Sequence, residues 1–517
     1  MRFLISLRHP GYIRYLKSTL VGLAERDHEI ALFVGISPDD TKSHTDLLSR
    51  MSGEMRQLEA KFPGSFSVRP GVEPRGSRER DLGGSLRAWQ DFLHFLEPAF
   101  DEAPKLRARG GALVPEPLRE PSIRAAESPE LRSALMALLR TVEQMLPVPA
   151  RVRGAVAEEQ PDAVVVCPLI ERRSPQATYL RAAHELGIPT ALCVASWDNL
   201  TTSSLIHGEP EIVTVWNEAQ RGEAVELHGT PPERVVVTGA PLYDDWFVQT
   251  PTTSREAFCE MVGLSDARPY LLYVCSSGFI APDEAAWIRR WLGNLRRSGI
   301  RELADIQVLI RPHPQHRLLD GSPAAQRLQR TPGVAIYPPD GELPVSADTR
   351  AEYYDSIHHS AAVAGINTSA MIESAIGQRG VHVLLTERYR NTQEGLPHFA
   401  HLRSAGGGLL QVTADWSEHA EGLACAIRGE DAADVAERSR SFLTAFIRPH
   451  GLEQAATPHM IDSLERLAES DVQPPTRVPG PPEEQLEAAI ATLEPLLGVP
   501  GEHRRRARRA ERARVRQ

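Results

Sequence analysis

The sequence is poor in cysteine and has no long apolar run, and these absences exclude several kinds of protein. Its five cysteines are scattered without a CxxC pair, so we predict neither a disulfide framework nor a zinc site. No run of about 18 apolar residues occurs, so no membrane span is predicted. The apolar stretch before Arg8 is too short for a signal peptide, and we therefore expect a cytoplasmic protein.

The charge is acidic overall but unevenly distributed. The whole chain has a formal net charge of −10, and residues 501–517 hold eight arginines and two glutamates, so this tail carries +6 and the remainder −16. An acidic body argues against nucleic acid as the main partner. We expect the basic tail to be a solvated terminus. The alternatives are weak contact with the anionic surface on the inner face of a membrane, or contact with RNA.

The length and the apolar pattern indicate two α/β domains. At 517 residues the chain exceeds what one hydrophobic core usually supports. The first half has continuous apolar runs at residues 2–7, 29–35, 163–169, 190–196, 211–216 and 234–239. The second half has them at residues 270–276, 306–312, 334–338, 361–366 and 381–386. Helix-like segments separate these runs. This pattern is typical of strands buried on both faces, so we predict two doubly wound parallel-sheet domains.

The domain boundaries are predicted from shifts in composition. The Pro- and Thr-rich segment 239–258 is typical of a hinge. We predict an N-terminal domain over 1–240 and a C-terminal domain over 241–450. The N-terminal domain contains an insertion over about 40–150, which we expect to shape an acceptor site. A further helix is predicted over 451–470, followed by a Pro-rich linker, a short helix and the basic tail over 471–517.

The segment 361–385 reads as a buried strand, a Ser/Thr turn, a helix and a second buried strand. Thr368 and Ser369 are predicted to open the helix, and Glu373 lies on the same helical face one turn later. Hydroxyls and free N–H groups beside a carboxylate suit a nucleotide diphosphate with its ribose. The alternative is an ordinary N-cap followed by a solvated glutamate.

Two other loops of the second half also follow predicted strands, where ligands of open parallel sheets bind. Ser276, Ser277 and Gly278 leave room for backbone N–H groups to approach a phosphate, or else form a tight turn without a ligand. Arg311 and His313 lie in a stiff Arg-Pro-His-Pro turn. They are predicted to hold phosphate oxygens, with a helix-capping arginine and a packed histidine as the alternative.

A third loop of the second half, residues 387–399, is long and polar. Gln393 and Glu394 offer hydrogen-bonding groups that suit the hydroxyls of a sugar.

In the first half, His9 follows the first predicted strand and is a candidate general base, or else a hydrogen-bonded loop histidine. Trp197, Asp198 and Asn199 follow the fourth apolar run and place an apolar plate beside a carboxylate and an amide. Asp198 is predicted to orient His9, to act as the base itself, or to cap a turn.

With these motifs assembled, the sequence resembles the GT-B glycosyltransferase superfamily over about residues 1–470. The resemblance rests on the opening MRFLISLRHPGYIRYLKSTLVGLAERDHEIALFV, the segment VVVTGAPLYD, the IRPHP turn, the SAMIESA helix and TQEGLPHF. The IRPHP turn and the Ser-plus-Glu helix also resemble those of CDP-glycerol glycerophosphotransferases and UDP-N-acetylglucosamine 2-epimerases. The resemblance implies two Rossmann-like domains facing a cleft, with the donor nucleotide on the second and the acceptor on the first.

By this resemblance, the donor site residues are Ser276, Ser277, Gly278, Arg311, His313, Thr368, Ser369, Glu373, Gln393 and Glu394. Thr368 and Ser369 would bind the diphosphate, Glu373 the ribose, Arg311 or His313 the phosphates, and Gln393 or Glu394 the donor sugar. The acceptor residues would be Tyr12, Trp197 and Asn199, with His9 as the first candidate for the catalytic base and Asp198 as the second.

The predicted activity is metal-independent transfer of a sugar from a nucleotide-sugar cosubstrate to an unidentified acceptor hydroxyl, without a further cofactor, in polysaccharide or glycoconjugate synthesis. No metal-binding DxD motif follows a predicted strand. Two features depart from the epimerase pattern: Glu373 is followed by Ser374 instead of a second acid, and the first-domain catalytic acids have no clear match. A glycerophosphotransferase, a 2-epimerase and a nonenzymatic binding protein are the alternatives.

Overall fold

The computed structural model of the protein describes residues 1–35, 45–72, 78–314, 316, 318–319, 321–470 and 483–497. The predicted Pro-rich linker and the basic tail lie outside the described residues. The chain divides into two compact units: an N-terminal unit of Met1–Thr238 with Thr457–Gln517, and a C-terminal unit of Gly239–Ala456. Among the described residues, no helix is both long and apolar enough to cross a membrane.

A seven-stranded, all-parallel sheet forms the centre of the N-terminal unit. Its strands are β1 (Arg2–Leu7), β2 (Glu29–Val34), β3 (Phe66–Pro70), β4 (Ala163–Cys167), β5 (Thr190–Cys193), β6 (Ile212–Val215) and β7 (Val235–Val237), in the order β3-β2-β1-β4-β5-β6-β7. β1 and β4 are buried almost throughout because helices cover both faces, as their continuous apolar sequences predict.

The C-terminal unit has a six-stranded, all-parallel sheet. Its strands are β8 (Tyr270–Val274), β9 (Gln307–Arg311), β10 (Val334–Ile336), β11 (Ala362–Gly365), β12 (Val381–Leu384) and β13 (Leu410–Thr413), in the order β10-β9-β8-β11-β12-β13. Two doubly wound α/β units are therefore present, as the sequence predicts.

The helices connect the strands and cover the sheets. In chain order they are α1 (Ile13–Glu25), α2 (Thr45–Lys61), α3 (Arg78–His94), α4 (Pro104–Gly111), α5 (Glu116–Ala126), α6 (Pro129–Met145), α7 (Ala150–Glu159), α8 (Gln176–Glu185), α9 (Asn199–Thr202), α10 (Glu218–Glu226), α11 (Asp244–Phe247), α12 (Arg255–Val262), α13 (Glu284–Arg296), α14 (Pro323–Gln329), α15 (Ala347–His358), α16 (Ala370–Ile376), α17 (Phe399–Ser404), α18 (Trp416–Arg428), α19 (Ala432–Phe446), α20 (Ala456–Glu469) and α21 (Glu483–Leu496).

The predicted insertion contains more regular structure than its weak apolar pattern indicates. It supplies the edge strand β3, which was missed because only its first residue, Phe66, is buried. Helices α3 and α6 pack together, and α21 adds Ile490 to the same apolar cluster, beside Leu82 and Leu139. The helix predicted over 451–470 starts later, at Ala456, because Gly451 has a φ of +125°, which a helix cannot include.

Candidate functional site

The C-terminal sheet reverses its winding between β8 and β11, so the loops after these two strands flank a crevice at its carboxyl edge. The Ser276–Gly278 loop follows β8, and the Asn367–Ser369 turn follows β11. The backbone N–H of Asn367 donates to Ser276 Oγ at 3.3 Å, which joins the two loops. The Asn367 side chain also donates to the backbone carbonyl of Thr392, at 2.8 Å. Three predicted loops are thus held together by Asn367, a residue that was not predicted.

Arg311 is the last residue of β9 and lies beside Val274 of β8. Its side chain is only 4% exposed, and its guanidinium stacks 4.0 Å from the centre of the Tyr353 ring. None of its three guanidinium nitrogens has a hydrogen-bond partner among the described residues. Burial lowers the pKa of Arg311, while nearby tyrosine and glutamate side chains oppose this shift. Arg311 is therefore a buried cation whose hydrogen-bonding capacity the described part of the chain leaves unused.

Glu373 belongs to the same cluster. Burial raises the pKa of Tyr353 well above its usual value. The Glu373 carboxylate adds to this shift by its negative charge and by accepting a hydrogen bond from the Tyr353 hydroxyl. The charge of Glu373 also acts on Arg311. The structure therefore brings two predicted donor-site residues, Arg311 and Glu373, into contact with one tyrosine.

The predicted opening of the helix before Glu373 is close to the observed one. α16 begins at Ala370, and Ser369 occupies the N-cap position with an exposed side chain that makes no capping hydrogen bond. Thr368 is 9% exposed. The hydroxyl of Ser369 is consequently accessible from solvent, whereas Thr368 contributes mostly to packing.

Three other predicted donor residues have different surroundings. Gln393 is fully buried: its Oε1 accepts from the backbone N–H of Thr386 at 3.3 Å, and its Nε2 donates to the carbonyl of Leu384 at 3.2 Å. The oxygen and the nitrogen of this side-chain amide both form hydrogen bonds with the backbone, so this geometry does not support a contact with a donor sugar. Glu394 is exposed and pairs with Arg403 at 3.2 Å, and His313 is half-buried in its turn.

The loop after β8 is held by a buried carboxyl group. The Ser276 N–H donates to both carboxyl oxygens of Glu284, at 3.1 and 2.9 Å, and the Tyr273 hydroxyl donates to it at 3.3 Å. Burial raises the pKa of Glu284 to about 8. A Cβ on Gly278 would lie 2.9 Å from His316 Nδ1, so a side chain here would require the His316 ring to move. Ser276 is fully buried and supports the loop, whereas Ser277 and Gly278 are half-buried.

The N-terminal sheet reverses its winding between β1 and β4, and the loops after these strands meet at Glu171. Arg8 Nε donates to Glu171 Oε2 at 3.0 Å, and the Tyr12 hydroxyl donates to the other carboxylate oxygen. Burial, followed by the charge of Glu171, raises the pKa of Tyr12 well above its usual value. Tyr12, predicted to contact an acceptor, is thus bonded to an acid that was not predicted.

The geometry of His9 disfavours its predicted role as the base. His9 Nδ1 accepts a hydrogen bond from the backbone N–H of Gly11 at 3.0 Å. The neutral ring therefore carries its proton on Nε2, and its basic nitrogen is already engaged. In this tautomer His9 can donate to an oxygen, but it takes a proton only if the Gly11 bond is broken.

Asp198 is the stronger candidate for the base, because each carboxylate oxygen keeps a second lone pair besides the one that accepts a hydrogen bond. Its Oδ1 accepts from Ser196 Oγ at 2.7 Å, and its Oδ2 accepts from Thr202 Oγ1 at 3.3 Å. Burial lowers the pKa of Arg109 to about 10, and the negative charge of Asp198 opposes this shift. The flanking acceptor candidates are buried: Trp197 is 4% and Asn199 8% exposed.

Among the described residues, no group of three or more His, Cys, Asp or Glu side chains is arranged to hold a metal ion.

No protein-family model matches this sequence, and comparison with curated proteins finds no relative. Two examples of solved structures that share the architecture follow. A UDP-GlcNAc 2-epimerase from Neisseria meningitidis, bound to UDP-GlcNAc, has 11% sequence identity and a TM-score of 0.50, and the match covers 90% of this chain and 100% of that chain. A glycosyltransferase from Rickettsia africae has 9% identity and a TM-score of 0.50, with 91% and 99% covered. The fold is GT-B.

The residues that were not predicted differ in how far the sequence could have revealed them. Glu171 lies in the loop after β4 and could have been found by inspecting every loop after a predicted strand. Tyr353 and Arg109 lie on helices α15 and α4, where nothing in the local sequence distinguishes them from packing residues. Their proximity to Arg311 and Asp198 depends on tertiary structure alone.

The Glu284 carboxyl predicts a pH-dependent stability. Its pKa is raised from 4.5 to about 8, so between these values the folded state keeps a proton that the unfolded state has lost. Stability should therefore fall as the pH rises across this window, by at most about 1.4 kcal/mol per pH unit from this group. Glu284→Gln should remove that loss. Urea unfolding of both proteins between pH 5 and 8 measures it.

The difference between the two pH profiles isolates Glu284, because every other titrating group is common to both proteins. Parallel profiles would show that Glu284 is already ionised in the folded protein and would contradict this assignment.

Proposed function

We propose that this chain is a glycosyltransferase that moves a sugar from a nucleotide-sugar donor to an acceptor hydroxyl. The observation that carries the proposal is Arg311, a buried guanidinium at the carboxyl edge of the C-terminal sheet without a hydrogen-bond partner among the described residues. An unpaired buried charge costs several kcal/mol. A diphosphate supplies the missing acceptors in a geometry that matches the guanidinium fork.

The surroundings of Arg311 support a nucleotide in particular. Glu373 contributes a half-buried carboxylate that suits ribose hydroxyls, and Ser369 contributes an exposed hydroxyl beside it. Of the two similar solved structures described above, one is named as a UDP-GlcNAc 2-epimerase and is bound to UDP-GlcNAc, and the other is named as a glycosyltransferase. The nucleotide sugar is then a cosubstrate, and Arg311 stabilises the charge that develops on the departing diphosphate.

A second candidate is a nucleotide-sugar epimerase, and one observation favours it. Glu171 and Asp198 follow the adjacent strands β4 and β5, so two carboxylates share the carboxyl edge of the N-terminal sheet. A pair of acids in different surroundings can divide the roles of general acid and general base. Such a pair could act on a nucleotide sugar in the absence of an acceptor.

Nucleoside diphosphates should bind through the Glu373 cluster. In a thermal-shift panel of UDP, GDP, CDP, ADP and dTDP, we expect one nucleotide to stabilise the protein by about 2.7 kcal/mol at 100 times its Kd. Glu373→Ala should abolish that shift, whereas Glu260→Ala, an exposed glutamate on α12, should preserve it. No shift with any nucleotide, or a shift that survives in Glu373→Ala, would contradict the donor site.

The corresponding nucleotide sugar then separates the candidate activities. An epimerase converts the sugar nucleotide in the absence of an acceptor, which a chromatogram resolves. A transferase releases the nucleoside diphosphate only when a hydroxyl acceptor is added. A glycerophosphotransferase would instead use CDP-glycerol, and a binding protein would leave every donor unchanged.

The roles of Asp198 and His9 can be ranked by kinetics. If Asp198 is the base, Asp198→Asn should lower kcat about 10²- to 10⁴-fold while the Kd for the donor stays the same. His9→Ala should cost less, and His9→Gln, which keeps a side-chain N–H donor, should recover part of that loss. The opposite ranking, with His9→Ala the more damaging change and no recovery in His9→Gln, would restore His9 as the base.

A further inference from the structure

A cavity of about 620 Å³ lies at the amino edge of the N-terminal sheet, and we call it the amino-edge cavity. Its lining includes His184 and Glu185, which end α8 before β5, residues 208–210, which precede β6, and residues 229–231, which precede β7. Asp198 and Glu171 instead follow β5 and β4. Because all these strands are parallel, the cavity and the candidate catalytic residues lie at opposite edges of one sheet.

The charges of the amino-edge cavity favour an anion. The guanidinium groups of Arg140 and Arg234 line it and make no hydrogen bond or ion pair with the described residues. Of its carboxylates, Glu143 is paired with the Arg87 cation at 2.7 Å, whereas Glu209 accepts from the neutral amide of Gln144 at 3.3 Å and keeps its negative charge. Two arginines without an acidic partner against one such glutamate leave the cavity positive.

The third lining carboxylate and the third arginine are also engaged. Glu185 pairs with Arg153 at 3.6 Å, and Arg181 donates to the carbonyl of Leu146. Because the Arg153 cation neutralises Glu185 while the Leu146 carbonyl is uncharged, Arg181 adds to the positive charge of the cavity.

A buried amide adds a second requirement on the ligand. Gln90 lines the cavity and is fully buried, and its Nε2 donates to Glu143 at 3.1 Å. Its Oε1 has no hydrogen-bond partner among the described residues. A buried acceptor without a donor is unfavourable, because the group has lost its hydrogen bonds to water. A ligand hydroxyl would satisfy Gln90 Oε1, and Glu143 could accept from a second hydroxyl.

His228, a further lining residue, is already satisfied. Its Nδ1 accepts from the backbone N–H of Ile206 at 3.2 Å, and its Nε2 donates to the carbonyl of Leu200 at 2.8 Å. Burial, assisted by nearby cationic groups that include Arg140, lowers its pKa to about 3. His228 is therefore an uncharged part of the wall and does not compete for the anion.

We propose that the amino-edge cavity binds a phosphorylated polyol, such as a sugar phosphate. Arg140 and Arg234 would hold the phosphate, and Gln90 and Glu143 would accept hydrogen bonds from the hydroxyl groups. The volume is within the range of about 300–1,000 Å³ that is usual for small-molecule sites. This inference does not depend on the proposed transferase activity, because every residue it uses lies in the N-terminal unit, outside the donor cluster.

Calorimetric titration of the full chain tests the proposal with three probes: glycerol 3-phosphate, glucose 1-phosphate and glucose 6-phosphate. We expect at least one to bind at micromolar to millimolar concentration, at least about tenfold more tightly than inorganic phosphate or glucose, because only it engages both the cations and the amide. The double variant Arg140→Gln, Arg234→Gln should weaken binding at least about tenfold. Arg151→Gln, an exposed arginine on α7, should not.

Two further variants complete the test. Gln90→Leu should weaken the binding of the sugar phosphate but not the binding of inorganic phosphate. Glu373→Ala, in the C-terminal unit, should leave the binding of the sugar phosphate unchanged. Matching thermal unfolding midpoints establish that each variant is folded. The proposal is overturned if none of the three probes binds, if inorganic phosphate binds equally well, or if Glu373→Ala rather than the arginine double variant removes binding.

Discussion

Every strand pairing in both sheets is parallel, and the placement of the chemistry depends on this constraint. Parallel strands place all their carboxyl ends at one edge, so loops far apart in the sequence converge there. In the C-terminal unit this brings Ser276, Arg311 and Asn367 to the point where the winding reverses, and in the N-terminal unit it brings His9 and Glu171 there. The same constraint leaves the opposite edge to a separate set of loops, which line the amino-edge cavity.

One segment of the N-terminal unit passes between these two edges. It begins at Asp198, whose turn continues into α9, and it ends in the cavity wall. His228 fixes it by accepting from Ile206 and donating to Leu200, and Asp91 fixes it by accepting from the Leu205 N–H at 2.9 Å. The residue favoured here as base and the proposed sugar-phosphate cavity are therefore connected by about ten residues of hydrogen-bonded chain.

The fold and the sites were predictable to different degrees, for physical reasons. Continuously apolar runs identify strands buried on both faces, and the expected strands formed, whereas β3 was missed because its residues beyond Phe66 are partly exposed. The rule that ligands bind after strands led to Arg311 and, through the turn after β11, to Glu373 as donor-site predictions, and the structure places both against Tyr353. The same rule could not show that the oxygen and nitrogen of the Gln393 side-chain amide both form hydrogen bonds with the backbone. Nor could it show that the basic nitrogen of His9 accepts a hydrogen bond from the Gly11 N–H, because these hydrogen bonds depend on loop conformation.

We infer that Arg311 binds an anion, because it is buried and has no hydrogen-bond partner among the described residues. Arg311→Met, of similar length but uncharged, is the variant to examine first, by urea unfolding with and without the stabilising nucleoside diphosphate. We expect the variant alone to be at least as stable as the wild type, because an unpaired buried charge has been removed, and to lose its response to the nucleotide. A variant that is several kcal/mol less stable and still responds to the nucleotide would show instead that Arg311 has a structural role and does not bind the anion.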